Sequence, residues 1–190
     1  MHKTLIANLT LKGLAFGVFL LAGGIATAQN VAIPADQQQF ISIVTSFIEP
    51  YKAANNELLK SRQRSSRKAA LEEAFPSMEF SNWVGTLARL GTTGDGDAFV
   101  SIQLSGSEIV IQTTNNSFSE SMAAHKTLVK DGTDVFEQLI QLGEGEVVAI
   151  SGNFFPHDRD HFYELSLTEN GSMTDPAYLV SVSSIGRPAQ

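Results

Sequence analysis

The densest grouping of polar, titratable side chains in the sequence is Pro156-His157-Asp158-Arg159-Asp160-His161. On a helix, two imidazoles four residues apart share one face and can hold zinc. Pro156 and the apolar runs on either side predict a turn between strands instead, where that geometry is not imposed. His157, Asp158, Arg159 and His161 are therefore expected on a solvated loop tip, available to a partner or ligand. A second polar group, Asp95 and Asp97, alternates with glycine in Gly91-Thr-Thr-Gly-Asp-Gly-Asp97. A calcium loop of the EF-hand kind needs more oxygen ligands at fixed steps, closed by a glutamate. The plainer reading is a flexible acidic hairpin. The third group is Lys60-Ser-Arg-Gln-Arg64-Ser-Ser-Arg67-Lys68, where five of the eleven cations of residues 29–190 fall within nine positions. At helical spacing Lys60, Arg64 and Arg67 or Lys68 share a face. That face can meet phosphates or anionic lipid, or complement the acidic remainder of the same molecule, which is the expectation favoured here.

Catalytic signatures are sparse. The chain has no G-x-S-x-G elbow, no glycine-rich phosphate loop before a lysine and no H-E-x-x-H. Ser121 and His125 are four apart, but no acid can be assigned to orient them. With zero cysteines, thiolate metal sites, cysteine nucleophiles and disulfides are all excluded. No cofactor or metal is expected. The enzymatic alternative, a metal-dependent phosphodiesterase or nuclease, would have to draw on Arg89, Asp95 and Asp97.

The elements that must position these groups follow from the hydrophobic period. Residues 1–28 read as a secretory signal peptide: Lys3 and Lys12, an uninterrupted apolar and small-residue run from Gly13 to Ala26, and an A-x-A site at Ala26-Thr27-Ala28. The run is shorter than the roughly 20 apolar residues of a spanning helix. No cysteine follows it, so it is not a lipoprotein signal. The expected address is the periplasm or the medium, with no stable membrane insertion after cleavage. The whole chain carries a formal charge of −7, and losing the two lysines leaves −9 on residues 29–190. Such a chain is repelled by polyanions unless its cations are concentrated.

From Asp36 to Phe75 apolar residues recur at helical spacing: Phe40, Ile43, Val44, Phe47, Tyr51, Leu58 and Leu71. Asp36 is the expected N-cap, and Pro50 is expected to kink or split the helix. The Phe40/Phe47/Tyr51 stripe should pack on the rest of the chain or on a second copy, which allows a homo-oligomer through residues 36–75. Beyond Met78 the period shortens. Phe80–Leu87, Ala98–Leu104, Ile109–Thr113, Val147–Phe155, Phe162–Leu167 and Ala177–Ile185 are the expected strands. A tight hairpin is expected at Ser105-Gly106-Ser107 and a turn at Glu169–Ser172. Asp134–Leu142 returns to helical spacing, with Asp134 and Glu137 as a capping arrangement and Gly143 as terminator. Ser117 with Glu120 marks a short helix start.

Three strands, a helix and two or more strands is the order of the OB-fold, a five-stranded Greek-key barrel. Gly85 and Gly152 lie inside strands, where a small barrel needs sharp coiling. The alternative is an open α+β sandwich. Phe80-x-x-Trp83-Val84-Gly85-Thr86, Leu142-Gly143-x-Gly145-x-Val147 and Ser151-Gly152-x-Phe154 resemble the bacterial OB domains described as anticodon-binding-like, over roughly Met78 to Ile185. That resemblance implies shared shape, not tRNA binding.

The expected architecture is mainly β with helices. Residues 77–188 form a five- to six-stranded OB barrel, preceded by a helical segment over 29–76. OB domains usually bind on the face of strands two and three, flanked by the first-to-second and fourth-to-fifth loops. Here that face carries one aromatic, Phe99, and neither lysine nor arginine, which argues against nucleic acid. The expectation is an exported, non-enzymatic binding protein. It would engage an envelope protein or small ligand at a rim formed by Asp95, Asp97, His157 and Arg159.

Overall fold

The computed structural model describes residues 31–122 and 125–189, with the backbone alone for Ser121 and Met122. The signal-peptide expectation for residues 1–28 lies outside the described residues. Val31–Gln190 form one compact unit.

The N-terminal zone is three helices: α1 Ala35–Ser46, α2 Ile48–Ala53 and α3 Glu57–Ala74. The expected break does occur near Pro50, but at Phe47, one turn upstream. Pro50 has no N–H to offer the Ser46 carbonyl, so the ladder fails there, while the proline itself sits in the first turn of α2, where its missing donor costs nothing. A second break, not anticipated, falls at Asn56, whose side chain accepts from Leu59 N at 2.9 Å and caps α3. Asp36 is not the cap of α1. Pro34 occupies that position, and Asp36, in the first turn, accepts from Trp83 Nε1 at 2.8 Å.

The remaining elements are β1 Glu79–Thr92, β2 Ala98–Leu104, β3 Val110–Gln112, α4 Ser117–Met122, α5 Asp134–Ile140, β4 Val147–Phe154, β5 Pro156–His157, β6 His161–Phe162, α6 Glu169–Thr174 and β7 Ala177–Gly186. Strands β1, β2, β3, β7 and β4 close into a barrel in that order, and β4 pairs back onto β1. The β3–β7 pair is parallel and the others antiparallel. This is the five-stranded OB order expected above, rather than an open sandwich. Gly85 and Gly152 stand where strands approach too closely for a side chain. A Cβ on Gly85 would lie 2.5 Å from Gln103 O, and one on Gly152 would strike Ser181 O.

Four further expectations are corrected. Residues 162–167 do not form a barrel strand. Only His161–Phe162 belong to a strand, in a two-stranded ribbon with Pro156–His157. Beyond it the chain meets β7 at an isolated antiparallel bridge, Glu164 opposite Tyr178. Leu165 N donates to Ala177 O at 2.8 Å and Leu179 N to Tyr163 O at 3.0 Å. The Glu164 carboxylate accepts from Ala177 N at 2.9 Å and from Ser166 N at 3.0 Å. The expected turn at Glu169–Ser172 is the first part of α6, capped by Thr168, whose hydroxyl accepts from Gly171 N at 3.0 Å. At α5 the cap is Thr133, accepting from Phe136 N, rather than Asp134. The left-handed residue after that helix is Gly145, φ +87°, rather than Gly143.

The barrel is stoppered at both ends of β4. At its start, α5 inserts Leu139, 2% exposed, and Gln138 Oε1 accepts from Ile185 N at 2.9 Å. At its finish, α1 inserts Phe40, 0% exposed, with ring centroids 5.0 Å from Trp83, 5.5 Å from Phe154 and 5.3 Å from Tyr178. Gln37, fully buried, fixes α1 against β1. Its Nε2 donates to Val84 O at 2.7 Å and its Oε1 accepts from Val84 N at 2.6 Å. Of the aromatic stripe, Phe40 and Tyr51 are buried within their own chain and Phe47 is half-buried. No helix among the described residues is long and apolar enough to cross a membrane.

Candidate functional site

The site is built on the inward face of α3. Leu71, buried in the core, fixes the rotation of that helix, and positions four and seven residues earlier then bring Arg67 and Arg64 under the β4–β7 connection. Asp160, between β5 and β6, meets them and is 2% exposed. Arg64 grips it side-on, Nε donating to Oδ1 at 2.7 Å and Nη2 to Oδ2 at 2.5 Å. Arg67, fully buried, donates from Nη2 to the same Oδ1 at 3.3 Å and from Nη1 to Ser172 O at 2.8 Å. His157 Nδ1 stands 3.1 Å from Asp160 Oδ2, but without the alignment of a hydrogen bond. A planar fork held bidentately is the strongest form of such a pair.

Burial alone would raise the Asp160 pKa. The Arg64 hydrogen bonds, then the charges of Arg64, Arg67 and His157, outweigh it and hold the carboxyl below its ordinary range. The same contacts raise Arg64 further above its already high value, against its own desolvation. Tyr178, whose hydroxyl finds no hydrogen-bond partner among the described residues, is pushed up to about 12 by burial, which the Arg67 charge only partly offsets.

Above this floor opens a polar cleft of about 230 Å³, whose lining includes Arg64, His157, Arg159, Asp160, Glu164 and Glu169. Glu169, on α6, accepts from Arg64 Nη1 at 3.0 Å and stands 3.7 Å from Arg159 Nη2. A cleft with a buried, ion-paired floor and partly exposed charged lips suits recognition of a small polar group. On its wall Ser166 Oγ donates to Glu164 Oε1 at 2.6 Å.

The structure joins two groups that are far apart in sequence, the basic run and the His157–His161 loop, and keeps the third apart from them. Asp95 and Asp97 line a different cleft, of about 250 Å³, with Glu120, Lys126 and Lys130. Asp97 pairs there with Lys130 at 2.6 Å. Glu120, buried, accepts from Thr127 N at 2.7 Å and Leu128 N at 3.1 Å. The rim expected to unite Asp95, Asp97, His157 and Arg159 is thus two separate clefts. His161 does not face His157. Its ring turns inward, Nε2 lying 2.8 Å from Phe75 O, on a backbone of φ +69°. Asp158 is exposed, Lys60 pairs with Glu57 at 3.0 Å, and Lys68 pairs with Glu72 at 3.3 Å. Arg89 lies over Phe99 at 5.7 Å, apart from any acidic pair. His125 stacks on Phe155 at 4.2 Å, while the Ser121 side chain lies outside the described residues. Among the described residues, no group of three or more His, Asp or Glu is placed to hold a metal.

Sequence reasoning did not single out Asp160, Glu169 or Ser172. The one available signal was the crowding of cations on α3 in a net acidic chain, which demands acids opposite without saying which. The fold and this cleft define a closed OB barrel carrying a buried arginine–aspartate cluster. No family model, curated protein or solved structure matches the chain.

Proposed function

We propose that the chain is an exported, non-enzymatic OB-barrel protein of the periplasm or medium that acts by binding. Its ligand is a small polar molecule, or a charged segment of an envelope protein, taken up in the cleft between α3 and the β4–β7 connection. The observation that carries this reading is the placement of Arg159, whose side chain is largely exposed, and the half-buried His157 over the buried Arg64–Asp160 fork. Preorganised charge beneath adaptable side chains lowers the ordering cost of binding. The likeness to anticodon-binding-like OB domains belongs to the same proposal and is supported by the strand order. The β2–β3 face, poor in aromatics and cations, gives nucleic acid no stacking platform.

The test is a titration of isotope-labelled residues 29–190 with glutamate and with a short acidic peptide. Amide shifts confined to residues 60–68 and 156–172 are expected. Shifts confined to the Asp95/Asp97 cleft, or none, would reject the proposal. Fractionation of cells making the full chain should place the protein outside the cytoplasm.

A further inference from the structure

We propose that the α3 cleft is an oxyanion site whose resident occupant is the protein's own Glu169 carboxylate; this deepens the binding reading above and rests on it. Arg64 spends Nε and Nη2 on Asp160, and its remaining fork nitrogen, Nη1, points to Glu169 Oε2 at 3.0 Å. Arg159, with a mostly exposed side chain, faces the same oxygen from the other side at 3.7 Å and meets no other acid among the described residues. One carboxylate oxygen thus bridges two guanidiniums, the arrangement an incoming carboxylate or phosphate would adopt.

The other acids lining the cleft are already committed. Asp160 is neutralised by Arg64 and Arg67. Glu164 is engaged by Ser166 N, Ser166 Oγ and Ala177 N. Among the described residues, Glu169 alone of these acids is held only by the two arginines. Its side chain is one-third exposed and it sits at the first position of a six-residue helix. Rotating that one side chain into solvent frees Arg64 Nη1 and Arg159 together. The ligand class is therefore a small molecule or peptide group bearing a carboxylate or a phosphate monoester. Glu169 competes with it for the same donors and sets a threshold for binding.

The experiment titrates residues 29–190 of the wild type, Glu169→Gln and Glu169→Gln/Arg159→Ala with inorganic phosphate and, separately, with succinate. Amide shifts at Ser166, Thr168 and Arg64 report the binding. Removing the internal competitor should tighten binding about tenfold, and adding Arg159→Ala should abolish the gain. The tighter of the two probes identifies the oxyanion. Equal affinity in wild type and Glu169→Gln, with shifts at those amides, would leave the cleft as a ligand site and overturn Glu169 as its occupant. No shift in either protein would overturn both readings, and a gain that survives Arg159→Ala would overturn the bridged geometry. Should Glu169→Gln fail to fold, Glu169→Asp, which draws the carboxylate back by one methylene, carries the same comparison.

Discussion

Asp160 is a carboxylate removed from water and surrounded by two guanidiniums and an imidazole. Breaking one side of such a pair leaves the other charge buried and uncompensated, at about 3–5 kcal/mol. Asp160→Asn should therefore lower stability by about 3–5 kcal/mol in urea unfolding near neutral pH. The carboxyl's folded-state pKa lies below the unfolded value of about 3.9. Its contribution is accordingly whole above that value and is lost as pH falls through the folded-state value. The gap between wild type and Asp160→Asn should stay constant down to about pH 5 and shrink below about pH 4. A gap that does not change with acidity would count against the ionic account. Tyr178 behaves oppositely. With its hydroxyl pushed up to about 12, its contribution is complete below the unfolded value of about 10 and declines as pH climbs between the two. Tyr178→Phe removes a buried hydroxyl that has no partner, so it should be neutral or stabilising by about 1 kcal/mol. It should also flatten the alkaline fall, measured as urea midpoints across that range.

At the scale of elements, the strand glycines were the most legible feature. Gly85 and Gly152 could be read as barrel positions because nothing else excuses a glycine inside an apolar strand. Adding one methyl at Gly152 forces it onto the Ser181 carbonyl and to 3.0 Å from the Phe80 ring. Gly152→Ala should cost about 1–3 kcal/mol in thermal or urea unfolding, and an unchanged midpoint would contradict the close crossing. Helix α5 was likewise legible from its period. The fifth barrel strand was misassigned because Phe162–Leu167 alternates as a strand does, yet Ala177–Gly186 fills the slot beside β3 and β4. Alternation reports a half-buried surface and not a ladder partner. The site was legible in halves. Arg64 and Arg67 stood out by charge, and His157 and Arg159 by their loop. Nothing local distinguishes Asp160 from Asp158, since the difference is which of them the ribbon turns toward α3.

At the scale of the whole molecule, the N-terminal helices complete the barrel's interior. Phe40 and Leu71 belong to the same cluster as Trp83, Phe154 and Tyr178. A fragment beginning at Ser77 would expose those rings and strand Asp160 without its arginines. It is expected to lose the sharp, single thermal transition of residues 29–190 in calorimetry. A fragment that melts as sharply would show the barrel to be self-sufficient.

Gln37 and Phe40 meet partners as distant as Val84 and Tyr178. The first helix of the described residues is thus among the last to find its place. Loop closure over such separations is slow, because chain entropy is lost before any contact compensates for it. Until Tyr178 has arrived, Phe40 stays a greasy, solvent-facing ring. Maturation should therefore wait for the full length of polypeptide, and any stalled, C-terminally incomplete chain should present that ring to chaperones and proteases.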